Sequence, residues 1–390
     1  MPRICQLSFS PIADDARVRR HGDALAAAGH TVIAIGLPGA RGAAPGWEVR
    51  EIIPPPDERL FPLFRLPRIG RIALCRLLPR LAENAYWAQA LNRSMAAAAA
   101  DVAADIFVAN DWLTLPIAAR LARKRGVPYV YDSHEYAVEE SADRALWRLL
   151  VSPYVRAVEA RHIHGAAAVM TVGDGIARLM WSDHRLAAPP TVVRNAVPLQ
   201  AQPFRPCGER IDVLYQGLLR TDRGLKTLIQ SVPAWRPEFR LRLRGPGEAG
   251  VLDHLRSLAA ATAPDRITFD PPVDPAAMVA AANASDIGIH PIPPTSRQTR
   301  FCLPNKFFEY TMAGLALCVS DAAEMTALLA AHDLGAVIAA DTPEAVAAAV
   351  NGFDRPRIDA CKRNALAAAR ELCWEHERGT LVGLFERLRA

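Results

Sequence analysis

The seven cysteines, Cys5, Cys75, Cys207, Cys302, Cys318, Cys361 and Cys373, are odd in number, widely scattered and form no C-x-x-C. That excludes a disulfide framework and a thiolate metal site, and reads as reduced thiols in a cytoplasmic protein. Long hydrophobic runs are also missing. Ala96 to Ala104 is broken by Asp101, and no stretch approaches the roughly 18 apolar residues that span a bilayer. The amino terminus turns strand-like within three residues, so no signal peptide is expected. A net charge of +5 is too mild to indicate nucleic acid, and no base-stacking or zinc signature supports it. It fits an anionic substrate or an anionic membrane surface. Neither half has G-x-G-x-x-G after its first strand, which argues against a nicotinamide dehydrogenase, and no G-x-x-x-x-G-K-[ST] supports phosphoryl transfer of the P-loop type.

Hydrophobic residues make up 51% of the chain and charged residues 22%, an ordinary globular balance. At 390 residues the chain is too long for one small core and predicts two domains. Arg3 to Phe9 reads as a buried strand, Val18 to Ala28 as a helix ended by Gly29, and Thr31 to Gly36 as a second strand. Short strands follow at Ile106 to Ala109, Tyr129 to Asp132, Ala168 to Val172 and Thr191 to Val193, between helical stretches around Leu115 to Arg125 and Leu146 to His164. After a Pro- and Gly-bearing linker at 198–210, strands at Ile211 to Gln216, Arg240 to Arg244, Ile267 to Phe269, Ile287 to His290 and Leu315 to Ser320 alternate with helices at Leu225 to Ser231, Leu252 to Ala261, Ala276 to Ala284 and Asn305 to Ala313. Both halves are therefore α/β and Rossmann-like, with parallel strands and crossover helices. The expected division is 1–200, 201–372 and a final helical segment 373–390.

Two segments carry chemistry. Phe301 to Gly314 places Pro304, Asn305 and Lys306 at a helix start and one carboxylate, Glu309, on otherwise apolar first turns. Backbone N–H groups at a helix start hold anions, and a carboxylate accepts two hydrogen bonds from a vicinal diol, the pairing that a diphosphate and a ribose would need. The bland alternative is an amphipathic helix with Glu309 in solvent. Tyr215 to Ile229 places Gly217 at a strand end and Arg220 and Arg223 in the turn before a helix. Open α/β sheets bind ligands outside strand carboxyl ends, and arginine there can neutralise a diphosphate leaving group. A solvated basic turn is the competing reading.

At these residues the chain resembles the retaining, two-Rossmann-domain (GT-B) glycosyltransferases of the large family 4 type. Gly217, Leu219, Arg223 and Gly224 match the family's G-x-L-x-x-x-[KR]-G, and Pro304 to Tyr310 match P-N-K-x-x-E-Y. Asn110 to Pro116 and Tyr131 to Glu135 resemble N-D-x-x-x-L-P and Y-D-S-H-E. Val193 to Ala196 resembles V-x-N-A/G, and Trp374-Glu375 the start of the last helix. The resemblance implies two domains facing a central cleft, an acceptor-binding first domain, a donor-binding second domain, and a last helix returning to the first. It implies hexose transfer from a nucleoside diphosphate sugar to a hydroxyl acceptor, with retention and with neither metal nor cofactor. His134 would meet the donor sugar as a neutral imidazole, Arg223 the diphosphate, and Glu309 the ribose. Arg17, Asp111, Glu135, Gly217, Arg220, His290, Pro304, Asn305 and Lys306 would complete the substrate contacts, with Arg17 pointing into the cleft. A lone histidine is more often structural, and His290 reads equally as a packed core residue.

Departures accompany the matches. The family's first glutamate falls on Phe301, and Leu218 stands where many members carry arginine. Two alternatives therefore stay open: a nucleotide-sugar epimerase on the same double fold, and a non-catalytic nucleotide-sugar-binding subunit. Between Arg59 and Arg80 six arginines and no acids interleave with leucines and phenylalanines. This suits peripheral docking on anionic lipid at the inner face of the cell membrane, near a lipid-linked acceptor of polysaccharide biosynthesis, and suits a solvated helix face equally.

Overall fold

The computed structural model describes residues 1–54, 70, 72–76 and 78–388. Most of the arginine-rich stretch between Arg59 and Arg80 lies outside the described residues, and with it the membrane-docking expectation. The chain divides into two compact units, one of Met1–Val193 with Arg378–Ala390, the other of Arg194–Glu377. Residues just past Val193 join the second unit. The Arg194 N–H donates to the Glu377 carboxylate at 2.8 Å, while Ala196 and Val197 sit in its core. The helix Trp374–Arg387 begins in the second unit and ends among the residues counted with the first. None of the seven cysteines is joined in a disulfide. No helix among the described residues is long and apolar enough to cross a membrane.

Among the described residues the first unit holds seven parallel strands in the order β3-β2-β1-β4-β5-β6-β7: β1 Arg3–Leu7, β2 Thr31–Gly36, β3 Glu48–Glu51, β4 Ile106–Asn110, β5 Tyr129–Ser133, β6 Ala168–Thr171 and β7 Thr191–Val192. The second holds six, β10-β9-β8-β11-β12-β13: β8 Ile211–Gln216, β9 Phe239–Arg244, β10 Ile267–Asp270, β11 Ile287–His290, β12 Ala316–Ser320 and β13 Gly335–Ile338. Each order reverses direction once, at β1/β4 and at β8/β11, and those switch points are where doubly wound sheets open a ligand crevice. Central strands are apolar on both faces, as burial between helices requires. Val213 and Tyr215 of β8 pack in one core and Leu214 in another on the opposite face. β9 differs. Its sequence alternates Phe-Arg-Leu-Arg-Leu-Arg, with Phe239, Leu241 and Leu243 in the core and Arg240, Arg242 and Arg244 on the other face. β3 and β13, which the sequence reading does not predict, each lie at one edge of their sheet and are short and only partly buried.

Candidate functional site

In the first unit the site is built at the β4 and β5 carboxyl ends, around Asp132. The helix Ala16–Ala27 is N-capped by Asp15, whose side chain accepts from the Arg17 and Val18 N–H groups. Arg17 and His21, four residues apart, share the helix face toward the sheet. Arg17 grips fully buried Asp132 through two hydrogen bonds, Nε to Oδ2 at 2.9 Å and Nη2 to Oδ1 at 2.6 Å, and donates Nη1–H to the Val193 carbonyl at 2.7 Å. The Arg17 side chain, expected to point into the cleft, is 5% exposed and tied to an internal carboxylate. Bidentate pairing repays the cost of burying both charges, which a solvent-facing arginine would not have to meet.

His134 stands beside this pair. Its N–H donates to Asp111 Oδ1 at 3.1 Å, and its ring places Nδ1 3.2 Å from Asp111 Oδ2 and Nε2 3.5 Å from Asp132 Oδ2. Asp111 thus holds both backbone and ring, from a backbone with φ of 64° that only a few non-glycine residues adopt. Burial opposes a charge on His134, but Asp111 and Asp132 lift it to about 9. That direction favours the imidazolium at neutral pH, where the sequence reading has a neutral ring. His21 behaves oppositely: burial, reinforced by Arg17, pushes it down to about 4 against the pull of Asp132. Burial works against the Asp132 charge too, yet Arg17 and His21 hold that carboxyl well below its usual range. Glu135 is exposed, and its carbonyl accepts from the Ser133 hydroxyl at 2.7 Å.

In the second unit Gly217 follows β8 with φ of 127°, and a side chain there would put Cβ 2.5 Å from Lys306 Cε and 2.9 Å from Lys306 Nζ. The lysine therefore lies directly over the strand end. Its ammonium is 5.3 Å from the Tyr215 ring and has no hydrogen bond or ion pair among the described residues. Burial and then Arg223 push it down to about 8, while Glu309 opposes. Lys306 and Glu309 come from the helix Asn305–Met312, whose N-cap is Pro304 and whose exposed first residue is Asn305. Pro304 leaves the first-turn N–H groups without a side-chain cap, the arrangement that favours an anion. Tyr310 of the same helix accepts the Gln216 N–H at 2.8 Å and so fixes the helix to β8.

Arg220 and Arg223 flank Asp222 at 3.1 and 3.9 Å and remain partly exposed. Their turn is pressed onto β11: at Gly224, φ 70°, an added Cβ would lie 1.9 Å from the Pro291 carbonyl oxygen. His290 is 1% exposed, and neither ring nitrogen has a hydrogen-bond partner among the described residues. Burial, with Lys306 and Arg223, drives it well below its usual range, so the ring is neutral. An unpaired N–H in a core costs about 1 to 3 kcal/mol, which a purely structural histidine would not carry without reason.

Gly217, Lys306, Glu309, Arg223 and His290 are thus one neighbourhood, and Asp111 and His134 another within the first unit. Asp132 and His21 belong to the latter but escaped sequence reasoning. The available signals were an acid ending an otherwise apolar strand, and an Arg-x-x-x-His spacing on one helix face.

Residues 15–196 match the glycosyl transferase 4-like domain, and residues 210–353 match the glycosyl transferases group 1 family. Among solved structures, a sucrose-phosphate synthase from Thermosynechococcus elongatus has a TM-score of 0.74 at 16% identity, over 100% of this chain and 99% of the other. The Anabaena Alr3699/HepE protein in complex with UDP and glucose has a TM-score of 0.69 at 14% identity, over 99% of each chain. An Escherichia coli trehalose-6-phosphate protein bound with UDP-2-fluoro glucose has a TM-score of 0.68 at 14% identity, again over 99% of each. No curated protein sequence is significantly similar.

Proposed function

We propose that this chain, which belongs to the GT-B glycosyltransferases of the family 4 type, transfers a hexose from a nucleoside diphosphate sugar to a hydroxyl acceptor, with retention and without a metal ion. The observation that carries the reading is Lys306. A half-buried ammonium with no acid bonded to it, laid over a strand-end glycine beside Arg223, is stabilised by an anion it does not have in the protein. A diphosphate supplies that charge. UDP-2-fluoro glucose in one structural neighbour, and UDP with glucose in another, support a donor of this class.

In this reading Lys306, Arg223 and the first-turn N–H groups of Asn305–Met312 stabilise the departing diphosphate, and Arg220 adds long-range charge. Glu309 accepts hydrogen bonds from the ribose diol, and neutral His290 completes the donor contacts. The sugar's anomeric carbon loses its bond to the diphosphate oxygen and gains one to the acceptor oxygen, while the acceptor's proton passes to the leaving phosphate. His134, held as an imidazolium by Asp111, steadies negative charge that develops during transfer. The acceptor is a hydroxyl of a glycan, free or lipid-linked. Incubation with UDP-, GDP-, dTDP- and ADP-hexoses is expected to give one donor that raises the thermal midpoint and is turned over in EDTA. Donor binding with no turnover on any acceptor would reduce the chain to a binding subunit, and loss of turnover in EDTA with rescue by a divalent ion would end the metal-free reading.

A further inference from the structure

The second unit also carries a cavity of about 770 Å³ that none of the proposed donor residues lines. Its walls include Asp212, near the start of β8, and Asp286, just before β11, whereas Gly217 and His290 stand at the carboxyl ends of the same two strands. Five residues of strand separate Asp212 from Gly217, about 16 Å. β9 turns Arg242, not an apolar side chain, to this cavity.

Its acceptors are largely spent. Asp212 accepts from Arg210 Nε at 3.1 Å and Arg242 Nη1 at 3.4 Å. Asp270 Oδ2 accepts from Arg242 Nη2 at 2.7 Å and Arg244 Nη2 at 3.3 Å. Asp286 accepts from Lys362 Nζ at 2.9 Å and from the Asp212 N–H at 3.0 Å. The donors are not spent. Arg205 commits Nε to Asn283 at 2.8 Å and Arg210 commits Nε to Asp212, which leaves the terminal nitrogens of both guanidinium groups without an acceptor among the described residues. Lys362, 1% exposed, uses two of its three ammonium protons, on Asp286 and on the Ser285 carbonyl at 3.3 Å. The Thr268 hydroxyl on the same wall is also unmatched. A pocket with four cations, three already neutralised carboxylates and surplus N–H and O–H groups is matched by a multidentate anion.

We propose that this cavity is a second anion site, which takes a phosphate-bearing small molecule between the Arg205 and Arg210 forks and the Lys362 ammonium. Guanidinium forks match phosphate oxygens two at a time, and the volume accommodates more than a bare phosphate. The test is calorimetric titration of the full chain with inorganic pyrophosphate. In Arg223→Gln protein, whose donor loop has lost its main arginine, binding is expected to persist. Adding Arg205→Gln and Arg210→Gln should weaken it roughly tenfold or more, with an unchanged thermal midpoint, since both side chains are exposed and make one hydrogen bond each. Arg210→Glu alone should give a comparable loss by charge reversal, and decides the matter if the double change destabilises the fold. No binding to wild-type protein, binding indifferent to the rim arginines, or binding abolished by Arg223→Gln alone would each overturn the site.

Discussion

Asp111 keeps 44% of its side-chain surface open, yet two of its hydrogen-bonding directions go to one neighbour, the His134 ring and N–H. That makes it a positioning residue for His134. Asp111→Asn should lower kcat about ten-fold or more and leave donor affinity unchanged, because donor contacts are assigned to the other unit. A fall in donor affinity in calorimetry would place Asp111 on the donor instead. Lys306 and Glu309 make the opposite forecast. Lys306→Met and Glu309→Ala should each weaken nucleotide binding by about 1.5 to 3 kcal/mol, the range for a charge-assisted hydrogen bond. Calorimetry with the free nucleoside diphosphate checks both, and unchanged affinity in either variant removes that residue from the site.

At the scale of elements, the turn between β8 and the helix Leu225–Ser231 depends on Gly224. Its φ of 70° and the 1.9 Å that would separate an added Cβ from the Pro291 carbonyl leave no room for a side chain. Gly224→Ala should therefore destabilise the second unit by about 2 kcal/mol or more and displace Arg223 with the turn. Thermal unfolding reads the first effect and donor affinity the second. Wild-type values for both would mean that the turn relaxes freely. The same scale shows what was legible in the sequence. Thr31–Gly36, Leu115–Arg125, Ile211–Gln216, Leu225–Ser231 and Ile287–His290 have the bounds that periodicity predicts, because apolar runs between glycine and polar breaks define both ends. β3 was not legible, since Glu-Val-Arg-Glu presents no continuous apolar run, and β13 was not, since the four-residue apolar run Gly-Ala-Val-Ile is too short for periodicity to separate strand from helix. At the site, local motifs pointed to Gly217, Lys306 and Glu309. The capture of Arg17 by Asp132 was hidden, because it joins residues 115 positions apart.

For the whole molecule, two histidines with opposite shifts shape stability against pH. The His134 value rises from about 6.5 in the unfolded chain to about 9 in the fold, so its contribution is complete below pH 6.5 and lost as pH climbs toward 9. His21 falls to about 4, so the unfolded chain binds a proton the fold refuses, and stability declines as pH drops from 6.5 toward 4. The first unit should be most stable near pH 6.5. Thermal midpoints across pH 5 to 9 would check this, and His134→Gln should flatten the alkaline limb alone. An alkaline limb unchanged in that variant would assign the loss to other groups.

The arginine stripe of β9 also bears on how the chain survives its own synthesis. β9 lies one strand in from β10, the four-residue edge of the second sheet, and until β10 docks, β9 itself is an open edge. A bare parallel edge of leucine and phenylalanine would recruit other nascent chains, whereas Arg240, Arg242 and Arg244 on alternate positions repel a second copy of the same strand. The stripe whose Arg242 lines a pocket in the finished protein thus acts earlier as a gatekeeper against aggregation, and a β9 rewritten with valine at those three positions would be expected to accumulate in inclusion bodies.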